Sequence, residues 1–418
     1  MKINSTKKNV AVFALKIMLA GSSVFLTFLI GKFYGAQDLA EFAVLQSLAI
    51  VSSTIALVGT NESLVYYCSK YPAKSKYYFL SSVFSFLLFY SLLALIVYSW
   101  LIYDGVFDRD EFVAWVFMTV PIGLLMLSSG YSRGKEYYYL GILLEPSMVS
   151  LLAFPTLSGL LFLNIKHEVI HIYIYCCWIL LGLYIWKSVW CRHRDESEII
   201  EFRGVAEYFN YLKGSIKYSV FSVVGMATSY LTIIISSIYL SDFEVASLRV
   251  AQQLALIVGF SLILGNYLLP VRFLKLFEEG EIHALKKLAK QSSALMMLIS
   301  ILPFIVFCIF GKYIFEYLGA EAQAYQFLYL VLIGQMFNVG CGSVMTILKM
   351  SGKVEIASSI SVLSSLAFIV ILLISSRWGL GGVGVSILLF YLIQNSLAVI
   401  AVKKELGFYP VMLLGKSI

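Results

Sequence analysis

The chain has 418 residues, 60% of them hydrophobic and 13% charged, with a mean hydropathy of +0.87 and a formal net charge of +7. So little charge does not coat a soluble globule of this length; a bilayer supplies the missing apolar solvent. The apolar runs are about 18 to 25 residues long and do not alternate, which excludes barrel strands and leaves membrane-spanning helices. The positive charge is not a nucleic-acid signature, because the basic residues lie in the links between the runs.

Twelve spans are predicted, near residues 10–32, 40–66, 77–102, 112–131, 138–163, 169–190, 215–240, 244–270, 292–311, 324–348, 355–376 and 381–402. The first, from Val10 to Ile30, follows a basic segment and has no small-x-small cleavage site, so it reads as a retained span rather than a signal peptide. The N-terminus, the links after even-numbered spans and the C-terminus together hold 24 Lys and Arg residues. The opposite links hold six: Lys32, Arg109, Lys166, Arg249, Lys312 and Arg377. That asymmetry predicts both termini in the cytoplasm.

No soluble domain interrupts the chain. The expected organisation is a six-helix lobe over 1–190, a cytoplasmic linker over 191–214 and a second six-helix lobe over 215–418. In the linker Ile199, Phe202, Val205, Phe209 and Leu212 recur at helical spacing among acids and an arginine, the pattern of an amphipathic helix on the membrane surface. The stretch FLKLFEEGEIHALKKLAK has a similar character. The halves also echo each other. LQSLAIV after Asp38 matches AQQLALIV after Asp242, and Arg133–Gly134–Lys135 matches Ser351–Gly352–Lys353 in equivalent places, favouring parallel repeats.

Ionisable residues inside spans are costly and so are functional candidates. Lys16 lies about two turns into the first span, at roughly 1.5 Å per residue. Ala20, Ser23 and Thr27 continue its face. Span 7 carries a stripe of Tyr218, Ser222, Gly225, Ser229, Thr232 and Ser236; span 8 carries Arg249, Gln252 and Gln253; spans 10 and 12 carry Gln335, Asn338, Gln394 and Asn395. Such polar stripes face other helices or a hydrated cavity, not lipid. Lys16 and Arg249 would make that cavity cationic, although Arg249 is also placed to snorkel outward. Glu62 and Glu145 either neutralise Lys16 or exchange protons; both readings stand at this point.

His167–Glu168–Val169–Ile170–His171 spells the helical zinc motif HExxH, but no third ligand pattern follows it. The six cysteines lack CxxC pairing and read as small packed residues, and no Walker A sequence is present. No metal, cofactor or catalytic residue is therefore expected. Tyrosine clusters at helix ends fit interfacial belts. Two GxxxG pairs, Gly31/Gly35 and Gly130/Gly134, mark turns or close packing.

The segment FLIGKFYGAQDLAEFAVLQSLAIV (28–51), with YLSDFEVASLRVAQQLALIV, the Gly-Lys turns at 134–135 and 352–353 and WGLGGVGVSILLF (378–390), resembles the polysaccharide-transporter branch of the MOP flippase superfamily, the O-antigen (Wzx-type) flippases in particular. The likeness runs along nearly the whole chain, but its motifs are loose, and Leu39–Ala40–Glu41 replaces the aromatic–Gly pair usual after the loop acid. The resemblance implies an all-α integral membrane fold of about 12 transmembrane helices in two six-helix lobes, MOP/MATE-like, around a central cavity. It implies a bacterial inner-membrane flippase, not an enzyme, for polyprenyl-pyrophosphate-linked oligosaccharide, with Lys16 and Arg249 as its cationic site. An O-antigen polymerase and a chain-length regulator are the partners it implies. A MATE-type multidrug antiporter and a membrane O-antigen polymerase or other glycosyltransferase are the alternatives. The polymerase family resembles long outer loops that this chain lacks.

Overall fold

The computed structural model describes residues 2–104, 109–165, 167–190, 204–317 and 325–411, and among them every regular element is helical. They form α1 (Lys2–Phe33), α2 (Ala36–Leu57), α3 (Thr60–Lys70), α4 (Ser75–Asp104), α5 (Arg109–Gly134), α6 (Tyr138–Leu143), α7 (Pro146–Phe162), α8 (Val169–Trp190) and α9 (Gly204–Met226). A π-helical turn over Ala227–Leu231 leads to α10 (Thr232–Ser236). Then come α11 (Asp242–Leu268), α12 (Pro270–Glu278), α13 (Ile282–Tyr317), α14 (Tyr325–Cys341), α15 (Val344–Met350), α16 (Val354–Ser375) and α17 (Gly379–Leu406).

Nine stretches among the described residues are long and apolar enough to cross a membrane. One of them, Val354–Leu406, holds two helices, α16 and α17, and the apolar α7 is shorter at 17 residues. With the rod from Gly204 to Ser236, these make an all-helical membrane protein of about a dozen crossings. Long faces of α4 and α13 expose leucine, isoleucine and phenylalanine, among them Phe84, Leu95, Ile96, Leu298 and Leu302. Contiguous apolar faces on that scale suit lipid rather than water.

Three predicted spans are each two helices. The span 40–66 breaks at Val58 and Gly59, whose φ values are 48° and 78°. The backbone of α9 presses against this point. A Cβ on Gly59 would stand 2.4 Å from the Ser215 carbonyl oxygen, so only glycine fits. The span 138–163 breaks before Pro146, which starts α7 and holds Glu145 in an extended conformation. The span 324–348 breaks at Gly342, with φ 71°.

The chain packs as two compact units, Met1–Tyr34 with Glu41–Met226 and Gly35–Ala40 with Ala227–Ile418. In the first, α5 is the hub and touches α3, α4, α6, α7 and α8, while α1 lies on α7. The Gly130/Gly134 pair makes the α3–α5 approach close. A Cβ at Gly130 would meet Asn61 O at 2.2 Å, and one at Gly134 would meet Cys68 Cβ at 2.8 Å. Helix α9 joins this unit through a buried polar seam. Tyr211 Oη lies 2.7 Å from Ser82 Oγ, Ser63 Oγ lies 2.7 Å from Ser215 Oγ, and Lys74 donates to Glu207 at 2.8 Å.

In the second unit α14 packs on α17, α13 and α11, and α17 packs on α16. At one end Phe273, Leu285, Ile347, Leu348 and Val402 share a core cluster. The amphipathic stretch FLKLFEEGEIHALKKLAK thus packs Phe273 and Leu285 of its apolar face into protein. Residues 191–203 of the predicted amphipathic linker lie outside the described residues. Val205, Phe209 and Leu212 fall on α9, where Leu212 is buried and the other two are exposed.

Candidate functional site

In the first unit the predicted polar face of α1 meets the break between α6 and α7. Lys16 Nζ donates to both oxygens of Glu145, at 2.7 and 2.5 Å, and the two side chains are each 26% exposed. Pro146 is what turns Glu145 toward α1, because the residue before a proline is kept out of the helical region. Glu62 pairs elsewhere, with an Arg133 guanidinium nitrogen at 3.5 Å. Of the two acids considered for Lys16, the structure brings Glu145 to it. Ser23 is half-buried, and the buried Thr27 returns its hydroxyl to the Ser23 carbonyl at 3.0 Å. Thr27 is thereby occupied with its own helix backbone.

In the second unit Arg249 sits two turns into α11 and is only 6% exposed. Its guanidinium is held inside protein instead of snorkelling outward. Gln253, one turn further on, is buried as well. Tyr230 in the π-helical turn lies within electrostatic reach of Arg249. An extra residue in that turn shifts the register of the stripe predicted on span 7. Ser229 is exposed, whereas Thr232 and Ser236 are fully buried. The side chain of Ser222 lies outside the described residues.

Two other polar pairs cross helices. The Gln335 amide of α14 fills the space beside Gly259 of α11, where a Cβ would stand 1.7 Å from its Nε2. Asn395 Nδ2 of α17 donates to Asn338 Oδ1 of α14 at 3.1 Å, next to the half-buried Gln394. Of the residues predicted on spans 10 and 12, Asn395 rather than Gln394 makes the bond to Asn338. A helical wheel places neighbouring residues on different faces but does not say which face meets a partner.

The HExxH sequence does not form its helix. Helix α8 starts at Val169, leaving His167 outside it, and His171 Nδ1 pairs with Glu168 at 2.8 Å on the surface. Among the described residues no group of three His, Cys, Asp or Glu side chains could hold a metal ion. The five described cysteines are free thiols.

No family model matches the sequence, and no curated protein matches it either. Solved structures do. An inward-facing multidrug resistance MATE family transporter of the MOP superfamily superposes with a TM-score of 0.67 at 10% identity, covering 96% of this chain and 98% of that one. The lipid II flippase MurJ, in an inward closed conformation, superposes at 0.72 with 13% identity over 94% and 87%. The MATE transporter VcmN of Vibrio cholerae, in its bent form, gives 0.58 with 14% identity over 95% and 98%. The chain shares the fold of these structures. At such low identity the likeness establishes architecture and leaves the cargo to be argued from the residues. The first unit holds a half-buried Lys16–Glu145 ion pair; the second, taken by itself, holds a buried Arg249.

Proposed function

We propose that this protein is a flippase that moves undecaprenyl-pyrophosphate-linked O-antigen, or a similar surface oligosaccharide repeat unit, from the cytoplasmic to the periplasmic leaflet of a bacterial inner membrane. The observation that carries the reading is Arg249, a permanent cation buried in an apolar helix. Holding a guanidinium away from water costs several kcal/mol unless an anion or strong acceptors offset it. A diphosphate is the part of a lipid-linked oligosaccharide that most resists entry into a low-dielectric core, and a buried cation lowers that barrier. Sugar hydroxyls suit the amides of Gln253, Gln335, Asn338 and Gln394 in the second unit, where Ser229 and Thr232 add hydroxyls; in the first unit Ser23 and Thr27 are the polar residues on the helix of Lys16. The polyprenyl chain stays in lipid. Alternating exposure of the site to the two faces completes the transfer. An O-antigen polymerase and a chain-length regulator are the partners on the receiving side, and both termini lie in the cytoplasm.

Deletion of the gene tests this reading, with lipid-linked repeat units and surface polysaccharide as readouts. Single completed units accumulating on the inner leaflet, with surface polymer lost, are expected. Single units on the outer leaflet would convict a polymerase instead.

A MATE-type multidrug antiporter is the second reading, and the Lys16–Glu145 pair is what favours it. A carboxylate bonded to a lysine within the helical bundle could exchange a proton for a cationic drug. Glu145 and Glu62 are the coupling acids on that reading. Loss of resistance to organic cations after deletion, with polysaccharide unchanged, would decide for it.

A further inference from the structure

A group of side chains outside the candidate site gathers where α3 ends. Tyr66 and Lys70 stand one helical turn apart on α3, and Tyr71 follows at its C-terminus. The Lys70 ammonium donates to Tyr66 Oη at 2.9 Å and stands 5.3 and 5.5 Å from the ring centroids of Tyr66 and Tyr71. Both rings are buttressed from behind. Tyr66 packs on Tyr67 and Tyr218 at 5.3 and 6.3 Å, and Tyr71 packs on Tyr78 at 6.4 Å. Their outer sides remain open, with Tyr66 44% and Tyr71 41% exposed. Lys74, four residues on, is taken by Glu207, whereas among the described residues the contacts of Lys70 are to tyrosines and not to a carboxylate.

The chemistry of this bracket is that of an anion site. An ammonium has three N–H donors, and Tyr66 accepts one of them. Because Tyr66 Oη accepts there, its own proton is available to a second acceptor. Two donors 2.9 Å apart on an exposed surface can serve two oxygens of one phosphate group. The aromatic walls hold the lysine in place before any ligand arrives, so less side-chain freedom is lost on binding. The location agrees. Helix α3 leads into the link between two candidate spans, Ala36–Leu57 and Pro72–Ser99, so the bracket lies near a membrane surface, where lipid phosphates are found.

We propose that Lys70 and Tyr66, walled by Tyr71, form a phosphate-binding subsite that receives the diphosphate of the lipid-linked substrate at the membrane surface. The assignment rests on the flippase reading for its substrate. The test uses the full-length protein in phosphatidylcholine nanodiscs, with farnesyl diphosphate as probe and phosphatidylglycerol as the competing source of lipid phosphate. Lys70→Gln should weaken farnesyl diphosphate binding about tenfold and Tyr66→Phe about threefold, with thermal stability unchanged because both positions are exposed. Lys70→Arg should retain binding, and so should Lys213→Gln, which removes an exposed charge on α9. Equal losses in Lys70→Gln and Lys213→Gln would overturn the subsite in favour of diffuse attraction. An equal loss of phosphatidylglycerol retention would make it a general headgroup contact and overturn its role toward substrate. Wild-type binding that survives both the Lys70→Gln and Tyr66→Phe changes brings down this subsite alone. Failure of the wild type to bind any polyprenyl diphosphate brings down the flippase reading and the subsite with it.

Discussion

Lys16 and Glu145 hold each other at hydrogen-bond distance with about a quarter of each side chain exposed. A pair in that position contributes on the order of 1–2 kcal/mol, between the small worth of a surface pair and the larger cost of breaking a buried one. Lys16→Ala should therefore reduce oligosaccharide export about tenfold or more while membrane abundance stays near normal. The exchange Lys16→Glu with Glu145→Lys separates structure from transport. It should restore thermal stability by re-forming the pair but leave export low, because the cation then stands on the wrong helix. Full recovery of export would mean that the pair is only a strut. For Arg249 the substitutions to Lys and to Ala divide charge from geometry. If charge is the requirement, export should survive Arg249→Lys better than Arg249→Ala; equal loss would point to bidentate guanidinium binding. Both positions were readable as charges in apolar segments. The partner of Lys16 was narrowed to Glu62 or Glu145, and the choice between them needed the fold, which brings Glu145 to Lys16 across 129 residues.

At the level of elements, the breaks in the helices decide what packs where. Gly59→Ala should lower the thermal stability of the purified protein, by about 2–3 kcal/mol. The new Cβ meets the α9 backbone at 2.4 Å, and the φ of 78° is itself unfavourable for alanine. A change of less than about 0.5 kcal/mol, the level of a neutral surface substitution, would show that α9 does not press on the break. Pro146 could have been read from the sequence as a helix start, since proline favours the first turn and restricts the residue before it. The break at Val58–Gly59 could not. Val58 takes a φ of 48°, and the α9 backbone comes so close to Gly59 that only glycine fits there, a long-range contact that the local sequence does not show. The same holds for the amphipathic stretch around α12. Its pattern showed a helix with one apolar face, but the burial of Phe273 and Leu285 in protein depended on where α13, α15 and α17 lie. On span 7 a π-helical turn over Ala227–Leu231 interrupts the 3.6-residue register on which the polar stripe was drawn, and no local signal marks it.

For the whole molecule, hydropathy and length made the all-helical membrane architecture readable, because a bilayer forces long uninterrupted apolar helices. Sidedness rests on the distribution of Lys and Arg. Reporter fusions after Lys74 should read cytoplasmic, and fusions after Asp108 and Glu321 periplasmic; a reversal at any of them would break the assigned topology. The cargo was the least readable property, since the same fold carries a lipid II flippase and multidrug transporters. The purified protein in liposomes with a fluorescent polyprenyl-diphosphate oligosaccharide measures that property directly. Protein-dependent transfer of the glycan to the leaflet accessible to an external lectin, strongly reduced by Arg249→Ala, is the result the flippase account requires. No transfer, alongside proton-driven movement of an organic cation by the same liposomes, would contradict it.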